Sequence, residues 1–273
     1  MDLRYDCRTA ASAPHGGAIR RACLAVVAAA GLASTGCAMH TYVALTPGEG
    51  IRDVTLPGGG LATIRVSSNE QIVGLAYEQR TDRLFAREIP GTRLVEIERA
   101  SGATVRTFSA QQVTPGCGGL LTNVELPNIA CGLAMRWSDR HLFLDHPNGN
   151  PITELDVDGR FVRHIMLQKP GGPIGGLGYD QRNDRLYVLY IVSETVAEVD
   201  LNGAEIRRFR PQAPIQPQGL DVSTARRELY IPLVNGNAIG VFDLSGALIE
   251  QHPLQRAGVA GGVGAGTRPW WRR

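Results

Sequence analysis

Residues 176–189, with the sequence GLGYDQRNDRLYVL, decide the fold because their pattern occurs four times in the chain. The opening segment recurs as Gly74-Leu75-Ala76-Tyr77, Gly132-Leu133-Ala134-Met135, Gly176-Leu177-Gly178-Tyr179 and Gly219-Leu220-Asp221-Val222. Ten residues after each glycine comes a leucine-aromatic pair, namely Leu84-Phe85, Leu142-Phe143, Leu186-Tyr187 and Leu229-Tyr230. Twenty-four residues after each glycine comes an acid that a further glycine soon follows, namely Glu98, Asp156, Asp200 and Asp243. Spacings held across four copies indicate a structural repeat.

Each repeat has the pattern of four short strands. After the glycine-led first strand and a polar turn, residues 185–189 form a second strand, and residues 197–200 alternate apolar and polar as a third. An Asp-x-x-Gly turn then leads to a fourth strand at residues 205–209. The repeat glycines are 58, 44 and 43 residues apart, the longest step holding an insertion around residues 117–131. Four-stranded units of about 40–45 residues are typical of the blades of a β-propeller, an all-β fold.

The two ends of the chain supply the strands of a fifth blade. Counted back from Gly74, residues 41–45, 51–56 and 61–66 fall where second, third and fourth strands are expected. Residues 261–265 begin 42 residues after Gly219, and Gly262 lies 43 residues after it, where a first strand is due. We therefore predict five four-stranded blades over residues 41–266, followed by a tail at 267–273. Four blades with a flanking N-terminal sheet is the alternative.

The N-terminal segment has the composition of a secretory signal. Four arginines precede a run of 12 mostly apolar residues, 22–33, which small residues and Cys37 follow. A basic region, a short apolar region and small residues before a cleavage site are the parts of a signal peptide. The run is shorter than the roughly 20 residues needed to span a bilayer. We assign residues 1–36 to the signal.

Gly36-Cys37 resembles the lipobox of bacterial lipoproteins, in which the cysteine carries the lipid, palmitate included. Ser34 stands where leucine is usual, so simple cleavage nearby is the alternative. The resemblance implies that residues 37–40 form a lipidated N-terminus that anchors the protein to a membrane. Ala38, in place of a retention aspartate, favours the periplasmic side of the outer membrane.

The cysteine count fits an oxidising compartment. Cys7 and Cys23 lie in the signal and Cys37 takes the lipid, which leaves Cys117 and Cys131. An even pair in an exported protein predicts a disulfide, with two free thiols as the alternative. A bridge closing a loop of about 15 residues would contribute about 3 kcal/mol.

The charge balance excludes a nucleic-acid partner. The chain has 28 basic and 26 acidic residues, and the excess lies in the signal. A mature chain without net charge and with one lysine, Lys169, lacks the basic footprint of nucleic-acid binding.

The blade pattern Gly-Leu-x-Tyr, Asp-x-Leu-Tyr-Val and Asp-x-x-Gly resembles NHL-type and strictosidine-synthase/gluconolactonase-like propellers. The resemblance covers residues 71–254 and implies fold more strongly than activity. In the lactonase-like enzymes, acidic and asparagine side chains at one tunnel mouth hold a divalent cation. The resemblance would give Ca²⁺ or another divalent cation the candidate ligands Glu70, Asn128, Asp145 and Asn148.

The chain has none of the common catalytic motifs. It contains no Gly-x-Ser-x-Gly elbow, phosphate-binding loop or His-Glu-x-x-His sequence. We therefore expect a membrane-anchored binding or scaffold module for a protein or small ligand rather than an enzyme. The alternative is a divalent-metal-dependent hydrolase or lactonase at the tunnel mouth.

Overall fold

The protein is a five-bladed β-propeller. The computed structural model describes residues 38–45, 49–56, 59–68, 70–89, 92–110, 131–146, 148–234, 237–255 and 259–268. Their twenty strands form five separate four-stranded antiparallel sheets, so the five-blade prediction is confirmed. No helix in these ranges has the length and apolar character needed to cross a bilayer.

Each blade runs from an inner to an outer strand, and blades 1 to 4 follow the four sequence repeats. Blade 1 comprises β4 (Ile72–Glu78), β5 (Arg83–Glu88), β6 (Arg93–Glu98) and β7 (Thr104–Ser109). Blade 2 comprises β8 (Leu133–Arg136), β9 (His141–Asp145), β10 (Ile152–Leu155) and β11 (Phe161–Ile165). Blade 3 comprises β12 (Ile174–Asp180), β13 (Arg185–Tyr190), β14 (Thr195–Asp200) and β15 (Glu205–Phe209). Blade 4 comprises β16 (Asp221–Ser223), β17 (Glu228–Pro232), β18 (Ala238–Asp243) and β19 (Leu248–Pro253).

Blade 5 is assembled from both ends of the chain. Its inner strand is β20 (Val259–Thr267), and its other strands are β1 (Met39–Leu45), β2 (Ile51–Leu56) and β3 (Gly60–Ile64). β20 pairs with β1 from Met39 opposite Thr267 to Leu45 opposite Val259. Each end of β1, β2, β3 and β20 lies within two residues of its predicted position, and both ends of β2 lie at their predicted residues. Because N- and C-terminal strands pair in one sheet, the ring closes without an unpaired inner edge.

The leucine-aromatic pair of each repeat joins a blade to both of its neighbours. Adjacent residues of a strand point to opposite faces of the sheet. In blade 3, Leu186 packs in the buried cluster shared with blade 2, whereas Tyr187 packs in the cluster shared with blade 4. Five such clusters lie between successive blades. The repeated pair therefore marks the packing of blade on blade, which is the hydrophobic core of this fold.

The repeat glycine is required where the inner strands converge on the axis. A Cβ atom on Gly176 would lie 2.5 Å from the Leu220 amide nitrogen of blade 4. The same close approach recurs around the ring: on Gly74 a Cβ would lie 2.5 Å from the Cys131 carbonyl oxygen, on Gly219 2.9 Å from Val263 Cγ2, and on Gly262 2.8 Å from the Gly74 carbonyl carbon. Gly132 faces Leu177 in the same way. Five inner strands approach this closely only where a side chain is missing.

The Asp-x-x-Gly turns form as predicted. The Asp200 carboxylate accepts the N–H groups of Asn202 and Ala204 at 2.8 and 2.9 Å, and Gly203 has φ of 80°. The N–H bond from Ala204, with that from Asn202, holds the pKa of Asp200 below its ordinary value. The turns at Asp156 and Asp243 repeat this arrangement. Glycine is needed here because the turn closes through positive φ.

Topology gives the propeller two different faces. We call the face with the turns between the first and second strands the lower face, and the face with the turns between the second and third strands the upper face. In blade 5 the two chain ends take the place of the lower turn, because β20 ends at Thr267 opposite Met39, where β1 begins. The amide of Arg268 donates to the carbonyl of Ala38 at 3.2 Å.

Gly176→Ala is expected to lower the free energy of unfolding by about 1–3 kcal/mol, because the methyl group meets the backbone of blade 4. Gly60→Ala is the matched control, since a Cβ there makes only ordinary contacts of 3.5 Å with Thr55. The control should be neutral or stabilising by up to about 1 kcal/mol. Urea unfolding of both variants measures this. Equal effects at the two sites would contradict the close-approach argument.

Candidate binding surfaces and the axial channel

Hydrogen bonds between blades close the lower mouth of the axial channel. Trp137, in the lower turn of blade 2, donates its indole N–H to the carbonyl of Tyr77 in blade 1 at 3.0 Å. The Gln181 side chain of blade 3 accepts the Trp137 amide at 2.8 Å and donates to the carbonyl of Met135 at 2.6 Å. The hydroxyl of Thr224 in blade 4 accepts the Gln181 amide at 2.8 Å. Side chains of three lower turns therefore tie four successive blades together.

Asp221 makes the next connection, from blade 4 to blade 5. Its carboxyl accepts the Ala265 amide at 2.6 Å and the Val222 amide at 2.8 Å. The carboxyl lines an axial cavity of about 10 Å³, enough for roughly one water molecule. Burial raises the pKa of Asp221 to about 8, although the two N–H donors oppose the shift. This cavity, which described residues of all five blades line, is too small for a substrate.

A buried ion pair joins blades 1 and 2 towards the upper face. Arg87 Nη1 lies 2.6 Å from Asp145 Oδ1, and neither side chain is more than 4% exposed. The guanidinium also donates to the carbonyls of Gly132 and Asp145, each at 3.1 Å. Burial raises the pKa of Asp145 to about 6, and the Arg87 guanidinium opposes this shift. This arrangement locks the two blades together.

The structure describes three of the four proposed cation ligands, Glu70, Asp145 and Asn148. Asp145 ends β9 and points into the blade interface, where Arg87 already binds its carboxylate. Glu70 and Asn148 are exposed in upper loops of blades 1 and 2, and Asn128 lies outside the described residues. The cation site therefore remains a prediction. The position of Asp145, whose carboxylate is paired with Arg87, does not support it.

Among the residues with described positions, one group has metal-ligand spacing, namely Asp139, His141 and Glu154. Arg136 lies at its centre, 2.5 Å from Glu154 Oε1 and 2.7 Å from Asp139 Oδ2. Arg163 binds the other oxygen of Glu154 at 2.6 Å. Two guanidinium groups already neutralise these carboxylates, so the group is an ion-pair network of blade 2.

Of the predicted disulfide pair Cys117–Cys131 and the predicted lipid site Cys37, the structure describes Cys131. Cys131 is buried, and its amide donates to the carbonyl of Val73 at 3.1 Å. Cys37 and Cys117 lie outside the described residues. The lipid and the disulfide therefore both remain predictions.

The upper face exposes apolar side chains at the tips of its turns. Val192 is 78% exposed in blade 3, Val234 is 48% exposed in blade 4, and Ile89 is 39% exposed in blade 1. Four other exposed apolar residues, Val105, Val162, Ile206 and Ile249, each occupy a β-bulge on an outer strand, where bulges keep edges from pairing. Phe161, Met166 and Leu248 are also exposed, on or directly after outer strands. Ile89, Val192 and Val234 lie in turns, so no β-bulge accounts for their exposure.

A groove of about 310 Å³ lies between the upper turn of blade 3 and the segment linking blades 3 and 4. Its lining residues are Glu194, Arg210, Pro211, Gln212, Ala213, Pro214 and Ile215. Arg210 donates to the carbonyl of Ser193, and the Val234 amide donates to the carbonyl of Pro214, so turn and linker are held together. The groove thus combines an apolar floor, one acid and one base beside the exposed Val192.

The sequence offered partial signals for these surfaces. Trp137, Gln181 and Thr224 all occupy the first position of a lower turn, five residues after their repeat glycine, so the repeat alignment could have grouped them. The Arg87–Asp145 pair spans 58 residues and has no spacing signal. The Pro-Gln-Ala-Pro linker was visible in sequence, but its groove depends on how it packs against blade 3.

Comparison with known proteins supports the fold alone. No family model matches the sequence, and no curated protein matches it. A chain of the nidogen/laminin complex resembles it with a TM-score of 0.53 and 13% identity, over 83% of this chain and 98% of that chain. A protein of unknown function from Bacteroides caccae has a TM-score of 0.45 at 10% identity, over 79% and 73% of the two chains. Virginiamycin B lyase from Staphylococcus aureus has a TM-score of 0.43 at 17% identity, over 79% and 67%.

Asp221 is expected to make stability depend on pH. Its pKa in the folded state, about 8, is above the ordinary value of 3.8, so the folded protein retains the proton longer than the unfolded chain. Stability should therefore fall as pH rises from about 4 to 8, by at most about 1.4 kcal/mol per pH unit. Asp221→Asn removes this contribution while its amide oxygen can still accept the Ala265 amide. Urea unfolding of both proteins at pH 5 and pH 8 measures the difference, and parallel pH profiles would contradict the assignment.

Proposed function

We propose that the protein is an exported, lipid-anchored binding module that holds a protein partner on its upper face. The observation that carries the proposal is the pairing of the 310 Å³ groove with exposed apolar turn tips beside it. Monomeric proteins rarely group exposed apolar side chains without an interaction to cover them. A rigid propeller core presenting such loops is suited to recognition.

The groove favours an extended peptide or loop as the part of the partner that binds. Its floor is formed by Ala213, Pro214 and Ile215, and Glu194 and Arg210 stand at its sides. Apolar pockets with a few polar groups fix the position of side chains and leave charges at the rim. Val234 adjoins the lining residue Pro214, whose carbonyl accepts its amide, and Val192 precedes the lining residue Glu194 by two positions.

The cation-dependent hydrolase has less support. Asp145, the buried carboxylate among its candidate ligands, is bound by Arg87, and the axial cavity has room for about one water molecule. The lipid anchor of the proposal depends on Cys37 and on the signal that precedes it. We propose that the anchored module lies on the periplasmic side of the outer membrane and binds a protein of the same compartment.

Photo-crosslinking tests the upper face. A photoreactive phenylalanine analogue at Val192 or Val234, introduced in the native host, is expected to give a covalent adduct with one polypeptide. Ile206 is the matched control, because it is 51% exposed but lies on the outer strand β15. An adduct of the same mass at Ile206, or none at Val192 and Val234, would refute the upper-face proposal.

Mass spectrometry of the mature protein tests the anchor and the disulfide. The N-terminal peptide is expected to start at Cys37 with a mass increment of acyl chains. A peptide containing Cys117 joined to one containing Cys131 is expected without reduction and should separate after it. A mature chain that starts elsewhere, or an unmodified Cys37, would exclude the lipid anchor.

A further inference from the structure

Two histidines of blade 2 differ from the other described histidines in the groups that they face. Three histidines lie within ion-pair distance of a carboxylate, namely His40 beside Asp53, His141 beside Glu154 and His252 beside Glu250. Among the residues that the structure describes, His146 and His164 have no carboxylate at that distance. They face each other across a threonine hydroxyl instead. A histidine pair without an acid has lone pairs on nitrogen to offer a ligand.

The hydroxyl of Thr153 brings the two imidazoles together. His146 Nε2 lies 2.7 Å from Thr153 Oγ1, and His164 Nδ1 lies 3.1 Å from the same oxygen. Thr153 is on β10, directly opposite His164 on β11, and His146 follows the last residue of β9. The ring centroids of the two histidines are 5.6 Å apart. The two nitrogens are therefore no more than about 6 Å apart.

The pair is held in the form that binds metal ions. A hydroxyl has one proton, so Thr153 donates to one imidazole nitrogen and accepts a proton from the other. Burial lowers the pKa of His146 to about 4, and the positive charges of His164 and Arg87 add to this shift. His146 is therefore a neutral imidazole at neutral pH, and metal ions bind the neutral form. The charge of Arg87 does not repel a cation strongly, because Asp145 lies 2.6 Å from its guanidinium.

The position of the pair lets an ion enter from solvent. His164 is exposed and His146 is half-buried, whereas Thr153 is fully buried beneath them. The ring of Phe161 packs against His164 with a centroid distance of 4.8 Å. A tetrahedral ion with bonds of about 2.1 Å holds two nitrogens about 3.4 Å apart. Rotation of the exposed His164 side chain can bring its nitrogen to that distance while His146 stays in place.

We propose that His146 and His164 bind a divalent transition-metal ion of the zinc, nickel or copper class. Imidazole nitrogen suits these ions, whereas Ca²⁺ and Mg²⁺ prefer oxygen ligands. The two imidazoles are the protein ligands, and water fills the remaining positions. The ion connects the turn after β9 to the outer strand β11 of the same blade. This site is separate from the Asp139, His141 and Glu154 group, and it depends on neither the lipid anchor nor the upper-face partner.

Zinc titration tests the site. The purified, untagged protein is stripped of metal with a chelator, dialysed, and titrated with ZnCl₂ at about pH 7.5 in a calorimeter. One zinc ion per chain is expected. His146→Gln and His164→Gln are each expected to weaken binding at least about tenfold, since even the loss of a group that only orients a metal ligand costs that much. Absence of zinc binding to the native protein would overturn the proposal.

His141→Gln is the matched control, because this histidine lies in the same blade but faces Glu154. It should bind zinc as tightly as the native protein. Loss of binding in His141→Gln, with His146→Gln unchanged, would place the ion in the other group and overturn the assignment. Circular dichroism of each variant checks that the propeller is folded.

Electron paramagnetic resonance with Cu²⁺ counts the ligands without relying on affinity. At one equivalent of Cu²⁺ the native protein should show hyperfine coupling to two imidazole nitrogens. His164→Gln should leave coupling to one imidazole or no bound copper. Coupling to two imidazoles that persists in both His146→Gln and His164→Gln, or coupling to none in the native protein, would overturn the proposal.

Discussion

The close approach of five inner strands at one axis is the constraint on which the remaining structure depends. Each repeat glycine stands where a Cβ would meet the next blade, so the ring can be narrow only because these positions lack side chains. A narrow ring brings the lower turns within hydrogen-bond reach of each other, as Trp137 and Gln181 illustrate. It also leaves an axial cavity of about 10 Å³. Among the described residues, the larger groove lies at the upper face, between blades 3 and 4.

The two faces differ in chemistry because they are built from different turns. Lower turns connect inner to second strands and carry arginine, aspartate and tryptophan, of which Trp137, Arg140 and Arg226 bond to a neighbouring blade. Upper turns carry Ile89, Val192 and Val234 at exposed tips. Blade 5 adds a second asymmetry, because both chain ends emerge on the lower side. The proposed binding module, which holds its partner on the upper face, is consistent with this division.

The fold could be predicted from the sequence because its signals are periodic. Gly219 and Gly262 are 43 residues apart, so the same step that separates complete blades located the inner strand of an incomplete one. The leucine-aromatic pair indicated which residues of the second strand point to each face of the blade, since its two side chains pack against different neighbouring blades. Strand ends were less certain: β20 extends to Val259 and Thr267, because pairing with β1 continues beyond the glycine-rich core of the segment.

The site could be predicted less well, because contacts between blades have no fixed spacing. Asp145 was expected on a ligand-binding loop, as it precedes the Asn148-Gly149 turn. It instead ends β9 with its side chain directed at Arg87, 58 residues away in the chain. Asp221 looked like one more residue of a repeat, and its burial depends on Ala265 of the closing strand. Which residues pair across an interface between two blades depends on how the blades pack in the assembled ring.

Hydrogen exchange at the seam of blade 5 tests the central claim most directly. Peptides covering β1 and β20 are followed by mass spectrometry beside peptides covering β12 and β13 of blade 3. If the ring is closed by the pairing of these two end strands, their amides should exchange as slowly as those of blade 3, through global unfolding. Exchange in β1 and β20 that is complete while blade 3 is still protected would contradict closure of the propeller by its own ends.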